Sequence, residues 1–307
     1  MRLVTIDSEY TAPLVAACYL RVQGAEAAFI ETNTTHAVPR LLSALEQERL
    51  RPEDVRWVIV THVHLDHAGG ASALLRACPD ATLVAHPRAA RHLIDPSKLV
   101  SSAGAVYGPE RFRELYGAIE PIPSERVRVV EDGEKLDLGG QPLRFLHTRG
   151  HANHHFVVHD PARDTVYTGD AFGIAYPQVQ RAGRFVFATT SPTDFDAAAA
   201  RESVDRIVAL GTSTACPTHF GEIDRLDVAA AQLRWWIDRS ERLVEEAIAL
   251  PAERADAHLH AGVSAAMEGA ARRAGLSLNE SDRKLLALDV ELNAQGLAIV
   301  AAKRRGA

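Results

Sequence analysis

Apolar positions fall into two regimes along this chain. Up to about residue 221 they come in short, often unbroken runs separated by glycine, proline and aspartate, and beyond it they recur every three to four residues. Residues 14–22 and 27–32 are β-compatible runs. Residues 39–50 follow with Leu41, Leu42 and Leu45 on one helical face, and Pro39 falls in the first turn, where its missing N–H costs nothing. Residues 55–61 are almost wholly apolar and rich in valine, which predicts a strand buried on both faces. Gly69 and Gly70 lead into a short helix over 71–78 that Pro79 closes, and residues 82–85 resume the sheet. Residues 87–123, broken by Pro, Gly and Ser, predict a partly helical excursion near one rim of the sheet. From 126 to 170 short strands alternate with turns, with Asp132-Gly133 and Gly139-Gly140 as hairpin signals. A helix is predicted over about 196–210, capped by Asp194 or Asp196 and stopped by Gly211, and then a short strand over 214–217.

Beyond Gly221 the β signal nearly vanishes. Leu226, Ala230, Leu233, Trp236, Ile237, Ser240, Leu243, Val244, Ala247 and Ile248 keep helical spacing and predict one long amphipathic helix, with further helices over 261–274 and 281–293. The pattern divides the chain into an α/β domain over 1–221 and a helical region over 222–307 whose apolar stripe packs on the rest of the chain or forms an interface, such as that of a homodimer. Trp235 and Trp236 are adjacent, so one is expected to pack inward and the other to meet the main domain or a second subunit.

Composition narrows the function. The chain has 307 residues, 47% hydrophobic and 24% charged, which is the balance of a globular protein with a sizeable core. A net charge of −6, with acids and bases scattered, argues against nucleic acid as a partner. No apolar run approaches the roughly 20 residues that span a bilayer. Asp7 and Glu9 stand where a secretory signal would carry a basic and then an apolar stretch. The expectation is a cytoplasmic protein with a small-molecule substrate and no membrane. Cys18, Cys78 and Cys216 match no metal or redox spacing and predict no disulfide framework; Cys216 reads as a buried filler.

Histidine is what stands out. Of 14 histidines, eight fall in two windows, His62, His64 and His67 in one and His147, His151, His154, His155 and His159 in the other. The segment His62-Val63-His64-Leu65-Asp66-His67 offers four donors at the end of a predicted strand, and His151, Asp170 and His219 also stand at strand ends. Imidazole and carboxylate suit zinc, iron and manganese. Seven donors exceed the three protein ligands plus water of one catalytic zinc, so the count argues for two divalent ions, zinc first, with iron or manganese as alternatives. If His62, His64 and His151 hold one ion, Asp66, His67 and His219 the other, and Asp170 bridges, each ion keeps room for a shared water. Two ions, two carboxylates and a bridging hydroxide leave about one positive charge, which favours an oxyanion, and metal binding brings the pKa of water to about 7. The implied reaction is hydrolysis by a metal-bound hydroxide.

The motif HVHLDH resembles the HxHxDH signature of the metallo-β-lactamase superfamily, and the later GH at His151, TGD at Asp170 and TH at His219 match its remaining ligand positions in order over about residues 14–221. Within it, HTRGHANHH and TGDAFG are similar to the glyoxalase II group, in which an aspartate at the position of Asp170 bridges the metals. The resemblance implies a four-layer αβ/βα sandwich with the metals at the edge of two sheets, a helical C-terminal extension over the site, and hydrolysis of an ester-like bond, a thioester or lactone. Asp66 would orient the hydroxide and shuttle its proton. The basic and aromatic pattern that grips glutathione in that group is not placed here. Two other readings stand beside this one: a mononuclear iron oxidoreductase like the persulfide dioxygenases, and a non-catalytic binding protein. Tyr176 is a candidate donor to a substrate carbonyl, with packing as its alternative. His154 and His155 are expected behind the ligands or along the pocket, His147 to bond at a strand end, and Tyr107, Phe112, Tyr116, Phe172, Phe185 and Phe187 are candidates for an apolar acyl pocket or for the core.

Overall fold

Strand β1 (Arg2–Asp7) pairs antiparallel with β2 (Ala17–Gln23), which turns at Gly24, with its left-handed backbone (φ +60°), into antiparallel β3 (Glu26–Ile30). The computed structural model describes residues 1–190 and 194–306 and divides them into two compact units, Met1–His147 with His154–Gly169 and Thr218–Glu222, and Thr148–Asn153 with Asp170–Pro217 and Ile223–Ala307. This division falls elsewhere than at residue 221, because residues 170–217 group with the helical tail.

In the first unit helix α1 (Val38–Gln47) crosses over to parallel β4 (Val55–Ile59), and the short helices α2 (Leu65–Ala68) and α3 (Ala71–Ala77) lead to parallel β5 (Thr82–Ala85). The excursion over 87–123 is more helical than its punctuation predicts. It forms α4 (Pro87–Ile94), α5 (Ser97–Tyr107) and α6 (Pro109–Tyr116), with Gly108 and Gly117 closing the last two, before β6 (Val127–Val129) completes a six-stranded sheet in the order β1 to β6. The edge strand β1 went unpredicted because five of its six side chains are at least partly exposed, leaving only Ile6 buried. The second sheet continues as an antiparallel meander of β7 (Lys135–Leu138), β8 (Gln141–His147), β9 (Phe156–Asp160) and β10 (Thr165–Gly169), with Gly139-Gly140 at the first hairpin as expected.

Strand β2 shows how the layers stack. Cys18, Leu20 and Val22 join Phe29, Leu41, Leu45, Val58, Leu74 and Leu83 in the core on the helix side of the first sheet. The alternate residues turn to the second sheet: Tyr19 packs on Tyr167 with ring centres 5.6 Å apart, and the fully buried Arg21 donates from Nε to the equally buried Asp160 at 2.5 Å. Leu65, Phe112 and Tyr116 form a smaller cluster under α5 and α6.

The second unit is mainly helical. Helix α7 (Ala197–Val208) is capped by the Asp196 carboxylate, which accepts from the Ala199 N–H, so the second of the two expected caps is the one used. Strand β11 (Thr214–Pro217) bridges through Ala215 to Ile223, and α8 (Leu226–Ile248) follows as the long amphipathic helix the spacing predicts. Helix α9 (Ala252–Arg273) begins well before the expected residue 261, since its first two turns are mostly exposed and carry little apolar signal. Helices α10 (Glu280–Leu285) and α11 (Ala287–Arg305) complete the unit. Arg201 of α7 pairs with Asp238 and Glu241 of α8. Trp236 is buried against Phe187, while Trp235 packs on α9 under the Arg273 guanidinium, 5.3 Å from its ring centre. Among the described residues no helix is long and apolar enough to cross a membrane.

Candidate metal centre

Each unit carries part of the predicted ligand set, His62, His64, Asp66, His67 and His219 in the first and His151 and Asp170 in the second. After β4 the chain bends at Thr61 and His62 before α2, and the bend brings the His62 and His64 rings together, with ring centres 4.4 Å apart. His62 Nε2 lies 2.9 Å from His64 Nδ1. His64 is the N-cap of α2, whose single turn carries Asp66 at its start and His67 at its end. The Asp66 carboxylate oxygen Oδ2 is 3.7 Å from His67 Nε2 and 3.4 Å from His219 Nε2. Asp66, His67 and His219 offer donor atoms that all lie within 4.8 Å of one another. Two donors held about 2.0–2.2 Å from one tetrahedral ion stand about 3.3–3.6 Å apart. The spacings around Asp66 are therefore those of ligands converging on a common point, and the donor set of two imidazoles and a carboxylate suits zinc, iron or manganese.

Two ring orientations are fixed from behind by hydrogen bonds, those of His219 and His62. His219 Nδ1 lies 2.9 Å from the Val15 carbonyl, which can only accept, so the ring carries its proton there and turns an Nε2 lone pair forward. His62 Nδ1 is 3.1 Å from Thr61 Oγ1, and that hydroxyl donates in turn to Glu31 Oε1. His67 Nδ1 is 3.4 Å from the same Glu31 oxygen. The backbone of α2 is clamped by the next two residues of that segment: Thr32 donates from N and Oγ1 to the His67 carbonyl at 2.9 and 2.8 Å, and Asn33 Nδ2 donates to the Asp66 carbonyl at 2.9 Å. Glu31 and Asn33 both adopt left-handed backbone, φ 67° and 52°, a strained choice that brings three successive residues to bear on one helical turn. None of Glu31, Thr32, Asn33, Thr61 and Val15 was singled out from the sequence. The abrupt polar run 31–35 directly after the apolar strand β3 is the signal that marks the first three.

In the second unit His151 Nε2 lies 3.4 Å from Asp170 Oδ2, again a tetrahedral edge. Gly150 (φ +112°) sets this position: a Cβ there would sit 2.3 Å from the Ala200 nitrogen, so only glycine lets the loop lie against α7. Asp196 N donates to the Gly150 carbonyl at 2.9 Å and Ser203 Oγ to the Arg149 carbonyl at 2.6 Å. His151 and Asp170 line a cavity whose remaining walls include Phe195, Val204, Leu233 and Ile237, with Arg149 beside them.

Two more histidines of the second window stand against ligand rings. His155 is buried with its ring centre 4.9 Å from that of His62, and His154 lies 6.1 and 5.9 Å from His62 and His64. His147 bonds through Nε2 to the Val130 carbonyl at 3.0 Å, as a strand-end residue should. Tyr176 directs its hydroxyl to Asp289 Oδ1 at 3.2 Å and its ring edge to Phe187, so its visible contacts are those of packing. Phe172, Phe185 and Phe187 are core residues of the second unit, Phe112 and Tyr116 belong to the cluster around Leu65, and the Tyr107 side chain lies outside the described residues. Cys216 is buried.

A family model, the metallo-beta-lactamase superfamily, matches residues 12–219, and the chain belongs to that superfamily. Among curated relatives it is similar to the metallo-beta-lactamase fold-containing protein ST1585 of Sulfurisphaera tokodaii, 33% identical over 140 residues that cover 44% of this chain and 49% of that protein. It is also similar to the human acyl-coenzyme A thioesterase MBLAC2, 26% identical over 42% of this chain and 47% of the relative, and to the hydroxyacylglutathione hydrolase of Aeromonas salmonicida, 26% identical over 36% and 34%. The matches thus span half or less of the length of these relatives. Two solved structures share the fold across nearly the whole chain: that of ST1585 from Sulfolobus tokodaii, with TM-score 0.66, 22% identity and coverage of 96% and 97%, and that of the metallo-beta-lactamase family protein TTHA1429 from Thermus thermophilus, with TM-score 0.67, 21% identity and coverage of 99% and 93%. The mixed α/β architecture with two sheets is the one the histidine motif implied.

Proposed function

We propose that this chain is a dinuclear metal-dependent hydrolase of an ester-like bond, a thioester or a lactone. The observation that carries the reading is the convergence of His67 Nε2 and His219 Nε2 on one oxygen of Asp66, with the His219 imidazole turned by the Val15 carbonyl behind it. His62, His64 and His151 would hold one ion and Asp66, His67 and His219 the other, with Asp170 shared, as the order of the motifs supports. Two divalent ions held there would supply the polarisation of a carbonyl and would lower the pKa of bound water toward about 7. The Asp66 side chain is 26% exposed, unlike the rings around it, so its carboxylate both fixes the position of the attacking water and passes that water's proton to solvent. Phe195, Val204, Leu233 and Ile237 give the acyl portion an apolar wall beside His151 and Asp170. The thioester preference is supported by the names of two relatives, a thioesterase and a hydroxyacylglutathione hydrolase.

The test is turnover of metal-loaded protein on acyl-coenzyme A, acylglutathione, lactone, phosphodiester and β-lactam substrates, beside Asp170→Asn. The proposal expects hydrolysis of a thioester or lactone and its loss by several orders of magnitude in the variant. Oxygen uptake on a persulfide by protein with one iron per chain would instead establish the dioxygenase reading, and no turnover of any substrate would leave a binding protein.

A further inference from the structure

Arg149 stands directly before Gly150 and His151, and neither the metal centre nor the hydrolytic reading uses it. The backbone here is tied to α7 and its cap: the buried Ser203 donates from Oγ to the Arg149 carbonyl at 2.6 Å, and Asp196 N donates to the Gly150 carbonyl at 2.9 Å. The main chain of Arg149 is therefore held in place, whereas its guanidinium forms no hydrogen bond or ion pair among the described residues. Other arginines of the same unit, Arg181, Arg184, Arg201 and Arg234, each meet a carboxylate. Arg149 lines the cavity that it shares with His151 and Asp170 and is itself exposed, so it stands at the cavity's mouth. Among the described residues His151 and Asp170 are the other ionisable members of that lining, and both are proposed ligands. What remains for a substrate is the apolar wall of Phe195, Val204, Leu233 and Ile237, the half-buried Thr189 and one permanent positive charge. The space with its open mouth is about 300 Å³, the small end of the range for ligand sites.

We propose that Arg149 is a specificity-determining residue, and that the acyl group hydrolysed here is short and ends in a carboxylate that the Arg149 guanidinium binds. This rests on the hydrolase reading and names its substrate class. A guanidinium presents a planar fork of donors that matches a carboxylate with two parallel hydrogen bonds. Its place sets the length of the acyl chain. Two residues separate Arg149 from His151, at most about 7 Å of backbone, so the cation stands within a short chain of a carbonyl at the metals. The phosphates of a coenzyme A leaving group lie much farther than that from the thioester carbon. The net charge of −6 gives the chain no general attraction for anions, so a local cation has to select one. Because the contact is remote from the reacting bond, it is made alike in ground and transition state and lowers KM without raising kcat.

The test compares pentanoyl and glutaryl thioesters, equal in chain length, on N-acetylcysteamine as a neutral thiol and on glutathione as an anionic one, with metal-loaded protein. The wild type should prefer glutaryl about tenfold in kcat/KM on either thiol, the lower end for a charge-assisted bond because the site is exposed. Arg149→Gln should remove that preference through KM, with kcat and the thermal melt unchanged, since Ser203 binds a backbone carbonyl that every variant keeps. Arg149→Glu should turn the preference toward an acyl chain ending in an ammonium group. Equal rates on the two acyl groups, a preference that persists in Arg149→Gln, or one that follows glutathione and not the acyl group overturns the proposal. If the wild type turns over none of these thioesters, it is the thioester reading that fails, and binding decides the subsite. Glutaramic acid bound about tenfold more tightly than its neutral diamide by the wild type, and equally by Arg149→Gln, supports the cation site, while equal binding by the wild type overturns it.

Discussion

Gly70 tests whether the clamp on α2 holds the centre together. It caps α3 with φ −85°, a conformation any residue adopts, so its need for glycine is one of space. A Cβ there would lie 2.6 Å from the Thr32 carbonyl oxygen and 2.7 Å from that of Thr34, and Gly70 N donates to the Asn33 carbonyl between them at 2.8 Å. Neither oxygen belongs to a side chain that can rotate away. Gly70→Ala therefore pushes the 32–34 backbone back by at least about 0.4 Å to restore a 3.0 Å contact. Overpacking of this kind costs about 1–3 kcal/mol. At about 2–4 °C per kcal/mol, the melt should fall by about 2–12 °C. The displaced segment carries the bonds to the His67 and Asp66 carbonyls. Since a 1 Å error in a catalytic arrangement costs about 100-fold, a shift of this size should cost roughly tenfold in turnover. Thermal melts and turnover on the best substrate measure both, beside Gly104→Ala, a helix-interior site where a Cβ meets nothing within 4 Å and stability should rise by up to about 1 kcal/mol. A Gly70→Ala protein with wild-type melt and turnover would refute the reasoning.

Two further outcomes follow from the packing and the protonation of the first unit. Asp160→Ala leaves the Arg21 guanidinium buried without its ion-pair partner and should cost about 3–5 kcal/mol by urea unfolding, while Arg21→Met with Asp160→Leu should recover most of it; a loss under about 1 kcal/mol in the single variant would contradict the buried-pair account. Burial first, then the neighbouring His147, His154 and Arg88, bring His86 down to about 3 from 6.5, so its neutral Nδ1 accepts from the Arg88 N–H at the start of α4. Its folded value is depressed, so the stability it adds is complete above about pH 6.5 and is lost as pH falls toward about 3. His86→Asn keeps a cap acceptor that does not titrate, and should flatten the fall of unfolding free energy across that window by at most about 1.4 kcal/mol per pH unit, with identical slopes counting against the assignment.

The candidate ligands could be named from the sequence because their motifs are local. HVHLDH carries four donors within six residues, and His151, Asp170 and His219 each follow a strand within a few residues, directly after Gly150, Gly169 and Thr218. The long helix α8 and the cap of α7 were legible for the same reason, since helical spacing and an N-terminal aspartate are read within a few residues. What escaped depends on contacts between distant positions. Glu31 reaches Thr61, His67 and Thr218, and the polar run 31–35 marks its segment without showing which distant residues it meets. Strand β1 escaped because an edge strand keeps its pairing but gives up the apolar alternation that marks an interior one. Of the two roles open to the aromatic residues, Phe172, Phe185 and Phe187 take the core.

The most direct measurement is a titration of metal-free protein with zinc, manganese and iron(II), following bound metal per chain and hydrolysis of an acyl thioester or lactone in the same samples. Seven donors, with Asp66 shared between two imidazoles in the first unit and Asp170 beside His151 in the second, predict binding that closes at two ions per chain and turnover that appears with them. A ceiling of one ion with all three metals, or hydrolysis that is the same without metal, would contradict the account.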